Sequence, residues 1–308
     1  MSAATDTGAG TPPTAPLTVA ITTLDRPEAL DRCLRSLAAG DVLPAEVVIV
    51  DQSPARTAEP VAAAAGGLPS VRYEADDGRG LGHGQNRAFG LAANDHVAVL
   101  DDDCVAAGSW VAVAERLLAR GGHELIGGRV LPLPDERPGV VPVSSRTSEI
   151  PREFAGRVPP WDLGSGNNFA VHRSWLERVG GCDERLGPGS PGRGGVDMDL
   201  FYRLLRAGAR GRYEPELLVH HEQKPREGRR SRRGAYGFGM AAACVLWLRE
   251  GGDRGAATVL GRWLVLRMRL LATALVRRRW SAVYDELLVL DGTARGVVHG
   301  LRVAGRQA

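Results

Sequence analysis

The chain has 308 residues, 44% of them hydrophobic and 24% charged, with a formal net charge of only +3. Those values describe an ordinary globular protein, long enough for one large α/β domain with an appendage or for two domains. No stretch of eighteen apolar residues occurs, which excludes a simple membrane span, and the four cysteines form no CxxC or Cys/His pattern, which excludes a cysteine-based metal motif.

Charge is unevenly distributed. From Lys224 to the end the chain carries 17 Lys and Arg against 6 Asp and Glu, so the preceding body is net acidic. An acidic body with a basic tail suggests two jobs. Widely scattered cysteines fit reduced, buried thiols in a cytoplasmic protein.

Residues 1–16 are Ala, Thr, Gly and Pro without a basic start, and read as a disordered leader. "LTVAIT" (17–22) is a β-branched apolar strand. The spacing of Leu30, Cys33, Leu34 and Leu37 predicts a helix over 26–39, with Pro27 suited to its first turn. "AEVVIVDQS" (45–53) has an unbroken apolar run, the mark of a strand buried on both faces in a parallel sheet. A short helix closed by Gly66, a strand in "SVRYEA", a helix over 84–94 and a strand over 96–100 continue the alternation. Beyond residue 105 the pattern predicts a helix at 109–120, a strand at 123–133 and an exposed loop at 134–160. A short strand and helix fill 165–181, a helix 196–209 and a closing strand 210–221. "KPREGRRSRRGAYGFG" reads as a basic linker, and the remainder as helical. The fold class is α/β: a Rossmann-like, mostly parallel sheet flanked by helices, with a C-terminal helical appendage. The boundaries expected are leader 1–16, catalytic domain 17–223 and basic helical region 224–308.

In such sheets functional groups gather at the carboxyl ends of strands. Thr22 and Thr23, then Asp51, then Asp101 to Asp103 fall there. Three consecutive aspartates are unfavourable without a cation, although a surface turn or helix cap also accepts Asp. A hard divalent cation takes one or two carboxylates together with phosphate oxygens. "GRGLGHGQNR" (78–87) has glycines at alternate positions but is not the GxGxxG motif. It is either a mobile loop or a backbone that approaches a ligand, with Arg79 and Arg87 available for phosphate. Asp197 and Asp199 stand where a glycine loop becomes a helix, as helix caps or as a general base. His221 ends a strand and is either structural or a metal ligand. No GxSxG elbow is present, and "RRSRR" lacks the interleaved aromatics of a nucleic-acid reader, so no nucleic-acid partner is expected.

The segments "VAITTLDRPEALDRCLRSL", "EVVIVDQS", "GQNRAFGLAANDHVAVLDDDC", "GSGNNFAVHRSWLERVGGCDERLG" and "VDMDLFYRLLRAGARGRYEPELLVHHE" together resemble a glycosyltransferase of family 2, the inverting group with the A-type fold. They run in that family's order over roughly 17–223. The resemblance implies a nucleotide-binding set of Thr22, Thr23, Asp51, Arg79, Asn86 and Asp101. It implies a divalent metal, Mg²⁺ or Mn²⁺, on Asp103 and His221, with Asp101 and Asp103 as the DxD pair. It places Asn167, Asn168 and Asp199 on the sugar and acceptor side and makes Asp197 the catalytic base. Two departures stand out: Val196 replaces the glutamate before the base, which removes an acceptor-orienting contact, and Cys182 replaces a phenylalanine. The implied partners are a UDP-, GDP- or dTDP-linked sugar and a hydroxyl acceptor, lipid-linked or soluble. A nucleotidyltransferase is the first rival reading, although "TTLDRPEAL" offers no glycine loop after the first strand. An inactive partner-binding or membrane-binding relative is the second.

"VLGRWLVLRMRLLATALVRRRW" (259–280) mixes apolar surface with arginines, Arg262 and Arg269 sharing one helical face. Such a helix packs on the body or on a second subunit, as in a homodimer, or lies on a membrane. In the last case the protein is cytoplasmic and peripheral on the inner face of the cytoplasmic membrane.

Overall fold

The structure is a computed structural model and describes residues 12–304. Its first half runs β1 (Thr14–Thr23), α1 (Pro27–Ala38), β2 (Leu43–Asp51), α2 (Glu59–Ala63), β3 (Val71–Ala75), α3 (Leu81–Leu91) and β4 (His96–Leu100). These strands pair in the order β3-β2-β1-β4, all parallel. Val47 to Val50 are wholly buried, as their unbroken apolar run requires of a strand covered on both faces. The α1 helix turns Leu30, Cys33, Leu34 and Leu37 inward, with Pro27 in its first turn. Because β1 begins at Thr14, the last three residues of the expected leader are strand; residues 1–11 of that leader lie outside the described residues.

The chain continues with β5 (Cys104–Ala106), α4 (Trp110–Ala119), β6 (Leu125–Pro132), β7 (Val140–Val141), β8 (Arg152–Phe154), β9 (Asn168–His172), α5 (Arg173–Val179), α6 (Val196–Arg206), β10 (Gly211–His221) and β11 (Lys224–Pro225). β9 lies antiparallel between β4 and β6, and β10 extends the sheet parallel to β6. β5 and β8 pair antiparallel with opposite ends of β10. The sheet is therefore mixed. The stretch 134–160 is not all loop, because β8 joins β10 and β7 pairs with β11.

The remainder forms α7 (Arg229–Arg249), α8 (Gly255–Val276) and α9 (Trp280–Ala304). Most of the expected basic linker is thus helix. Glycine disfavours a helix by about 1 kcal/mol, and here close packing overrides it. A Cβ on Gly237 would sit 2.0 Å from the Val289 carbonyl oxygen, and one on Gly292 2.1 Å from that of Gly234. These glycines let the α7 and α9 backbones touch. Met240, Ala242, Ala243, Leu246 and Trp247 of α7 share one hydrophobic core with Leu200, Phe201 and Leu204 of α6.

Candidate active site

The parallel half of the sheet delivers Thr23, Asp51 and the Asp101–Asp103 turn to one edge. The antiparallel β9 starts beside the end of β4, with Asn168 opposite Leu100, and so brings Asn167 to the same edge. β10 ends there too, with His221 opposite Cys104. Five separate segments of sequence therefore meet.

Asp103 is the centre of the cluster. His221 Nε2 lies 3.2 Å from its Oδ1, and Lys224 Nζ donates to its Oδ2 at 2.5 Å. Arg26 Nη1 donates to the same Oδ2 at 2.9 Å and to Asp102 Oδ1 at 3.2 Å. Thr23 Oγ1 donates to Asp102 Oδ2 at 2.7 Å. The middle aspartate, which the family pattern leaves variable, is here the tie between β1, Arg26 and the turn. Burial raises the Asp103 carboxyl's pKa, but His221 and Lys224 outweigh it and hold the group well below the usual carboxylate range. Asp101 moves the other way, to about 7, because burial and the neighbouring Asp103 charge both disfavour its ionised form.

The base candidate is joined to this cluster through β9. The Asp101 amide donates to the Asn167 carbonyl at 3.4 Å, and the adjacent Gly166 amide donates to Asp197 Oδ2 at 2.9 Å. Residue 166 must be glycine, since a Cβ there would lie 2.7 Å from the Asp197 Cβ. Asp197 sits in the first turn of α6; burial raises its pKa, and the Gly166 and Met198 amides partly offset that. Asn167 is buried, yet neither amide atom of its side chain has a hydrogen bond. A buried amide left unpaired at an edge where five segments meet has hydrogen-bonding capacity to spare.

Other expected residues have partners of their own within the fold. Asp51 is fully buried and accepts hydrogen bonds from the Ser53 and Ala58 amides and the Tyr73 hydroxyl, so it shapes the loop after β2. Asn86 clamps α3 to the loop before α6, donating to the Cys182 carbonyl and Glu184 and accepting from the Cys182 amide. Asn168 faces the sheet interior, between the Arg129 and Leu217 carbonyls and the Trp110 indole. Asp199 is buried against Arg203 and the Trp247 indole, away from Asp197. Arg79 is exposed in the segment before α3, and Thr22 is partly buried. The alternating glycines are only in part a loop, since Gly82 and Gly84 lie in α3. A Cβ on Gly84 would strike the Thr22 methyl at 2.4 Å, so this glycine serves close packing of α3 on the end of β1. Arg26 and Lys224 went unforeseen. Their only mark in the sequence is nearness to Thr23 and His221.

Asp103, Cys104 and His221 are the group, among the described residues, whose ligand atoms lie within 4.8 Å of one another. Burial pushes the Cys104 thiol far up, which keeps it protonated and leaves Asp103 and His221 as the donors. Buried Asp103 Oδ1 and His221 Nδ1 have no hydrogen bond. A buried carboxylate and an imidazole whose Nε2 faces it at 3.2 Å are ligand types that suit a divalent cation. A separate cleft of about 650 Å³ lies at the opposite end of the strands, where Arg116, Arg129 and Arg212 are paired with Glu216, Glu149 and Glu214.

The mixed sheet, with an aspartate turn after β4 and a histidine at the end of β10, is the A-type glycosyltransferase architecture. Residues 18–180 match glycosyl transferase family 2, and the chain belongs to that family. A curated relative, the pre-mycofactocin glycosyltransferase of Mycobacterium tuberculosis (strain CDC 1551 / Oshkosh), is 27% identical over 230 residues, which are 71% of this chain and 45% of that protein. The chain thus spans less than half the length of that relative. Among solved structures, the mannosyltransferase PcManGT from Pyrobaculum calidifontis, in complex with GDP-Man and Mn²⁺, superposes with a TM-score of 0.60 at 14% identity, over 92% of this chain and 87% of that one. Residues 1–349 of S. aureus TarS in complex with UDP-GlcNAc give 0.54 at 14% identity, over 93% and 91%. GalNAc-T7 with UDP, GalNAc and Mn²⁺ gives 0.54 at 17% identity, over 74% and 50%.

Proposed function

We propose that the protein is an inverting glycosyltransferase that moves a sugar from a nucleoside-diphosphate sugar to an acceptor hydroxyl, with a divalent metal as cofactor. The observation that carries this reading is the join between the Asp103–His221 pair and Asp197 through Asp101, Asn167 and Gly166. Family membership and the two Mn²⁺-bound structural neighbours support it.

Asp103 and His221 would hold the metal, which would supply positive charge toward a departing diphosphate. Arg26 and Lys224 add two side-chain cations at the same place, so leaving-group charge is met by groups already positioned. Thr22, Thr23, Asp51, Arg79, Asn86 and Asp101 form or shape the nucleotide side, Asp51 and Asn86 through the loops they pin. Asn167 offers its free amide to the donor sugar or the acceptor. Asp197 accepts the acceptor hydroxyl's proton as that oxygen attacks the anomeric carbon. The Gly166 amide holds its carboxylate in place, and burial makes it more basic than a surface aspartate. One displacement with one base inverts the anomeric centre. Val196 is buried against Gly187 and Gly82, so the position before the base packs the loops together.

The test is turnover of UDP-, GDP- and dTDP-sugars with Mn²⁺ by wild type and by Asp197→Asn. Loss of about a thousandfold in kcat, with nucleotide affinity kept, is expected. Unchanged turnover in the variant removes Asp197 as the base. Binding restricted to sugar 1-phosphate and nucleoside triphosphate would point instead to a nucleotidyltransferase.

A further inference from the structure

α8 is apolar on both sides. Its inner face is accounted for: Ala256, Val259, Trp263 and Ala274 are buried, and Trp263 packs against Trp161 and donates its indole N–H to Thr293. Its outer face carries Leu264, Val265, Met268 and Leu275, all exposed, and the helix ends in Val276, 84% exposed, just before Trp280, 68% exposed. An exposed apolar stripe of this kind, opposite a face already buried, marks a contact surface. No helix among the described residues is long and apolar enough to cross a membrane, so the cover is not a bilayer spanned by α8.

The charges around this face narrow the choice. From Arg254 to Tyr284 the chain has no Asp or Glu. Arg262 and Arg269 flank the apolar stripe, and Arg277, Arg278 and Arg279 stand at its end, all exposed. None of these five has a carboxylate partner among the described residues, whereas Arg267, on the inner side, is paired with Glu286. A second copy meeting this face would bring the same stretch, which offers these five arginines and no acid to pair with them. An anionic lipid surface instead offers hydrocarbon to the stripe, phosphates to its arginine rim and an interfacial depth suited to Trp280.

We propose that α8 and the Arg277–Trp280 turn dock the protein on an anionic membrane surface, lying in the interface without crossing it. No candidate active-site residue takes part, so this proposal and the catalytic reading stand or fall separately.

The experiment is co-sedimentation of the full chain with vesicles of phosphatidylcholine alone and of phosphatidylcholine with phosphatidylglycerol. Wild type is expected to pellet with the anionic vesicles only, and to be released by salt. The triple variant Arg277→Glu, Arg278→Glu, Arg279→Glu is expected to lose about a hundredfold or more in partitioning. The double variant Met268→Glu, Val276→Glu removes the apolar contact and is expected to stay in the supernatant. All five positions are exposed, and circular dichroism confirms that the variants fold. Wild type remaining soluble beside anionic vesicles overturns the proposal, as does undiminished binding by either variant. A dimer that Met268→Glu, Val276→Glu dissolves, without vesicle binding, assigns the face to a second copy.

Discussion

At Asp103 two side-chain cations and an imidazole meet one buried carboxylate. This arrangement neutralises the aspartate turn and also sets a competitor for any metal. Replacing Lys224 by Met is expected to tighten Mn²⁺ binding a few-fold in the absence of nucleotide, read by electron paramagnetic resonance. With a nucleoside diphosphate present the same variant is expected to bind more weakly, because one of the cations facing the diphosphate is gone. An unchanged Mn²⁺ affinity in both conditions would remove Lys224 from the site. Asp197 gives a second residue-scale expectation. Its pKa is raised by burial and only the ionised form accepts a proton, so kcat falls as pH drops through that raised value. The acidic limb of the pH–rate profile is therefore expected above the range of a surface aspartate, and it should vanish in the residual activity of Asp197→Asn. The residue types at this site were legible from the strand ends and the family resemblance. The ion pairs were not: Arg26 and Lys224 reach Asp103 across 77 and 121 residues, and nothing in a linear pattern marks such a meeting.

At the scale of elements, two neighbouring acids of α6 part company. Asp197 accepts from the Gly166 amide just ahead of β9, whereas Asp199, two positions on and so on another side of the helix, is buried against Arg203 and the Trp247 indole of α7. Tyr202 stacks on the same Trp247 at 3.8 Å and donates to Asp253 at 2.6 Å. Asp199→Ala leaves a half-buried arginine without its counter-ion and a buried indole without its acceptor. It is expected to cost about 3 kcal/mol, measured by urea unfolding, with the acceptor KM of the folded enzyme unchanged. A raised acceptor KM at full stability would instead return Asp199 to the acceptor side. The glycines tell the same story. Gly84 of α3 and Gly237 of α7 look like loop punctuation in the sequence, and in the structure they make close contacts with Thr22 and with α9.

At the scale of the whole molecule, the catalytic half and the C-terminal helices share a core, with α7 packed on α6. Lys224, at the expected domain boundary, points back into the aspartate cluster. A chain ending at residue 223 exposes the apolar side of α6 and loses that lysine. It is expected to lack near-ultraviolet circular dichroism and to be cut rapidly by protease, where the full chain resists; a stable, soluble fragment would show that 17–223 folds alone. What the sequence by itself determined was the order of the main strands and helices from β1 to β10, the edge at which the strand-end residues gather and the chemical types present there. Periodicity and strand-end position are local properties, and they survive in one dimension. Only the tertiary structure decided which acid of α6 meets the Gly166 amide and which braces Arg203 and Trp247, which glycines are packing contacts, which cations sit on Asp103 and which face of α8 is left uncovered. Each of these depends on groups far apart in the chain being brought within a few ångströms, and folding alone sets those distances.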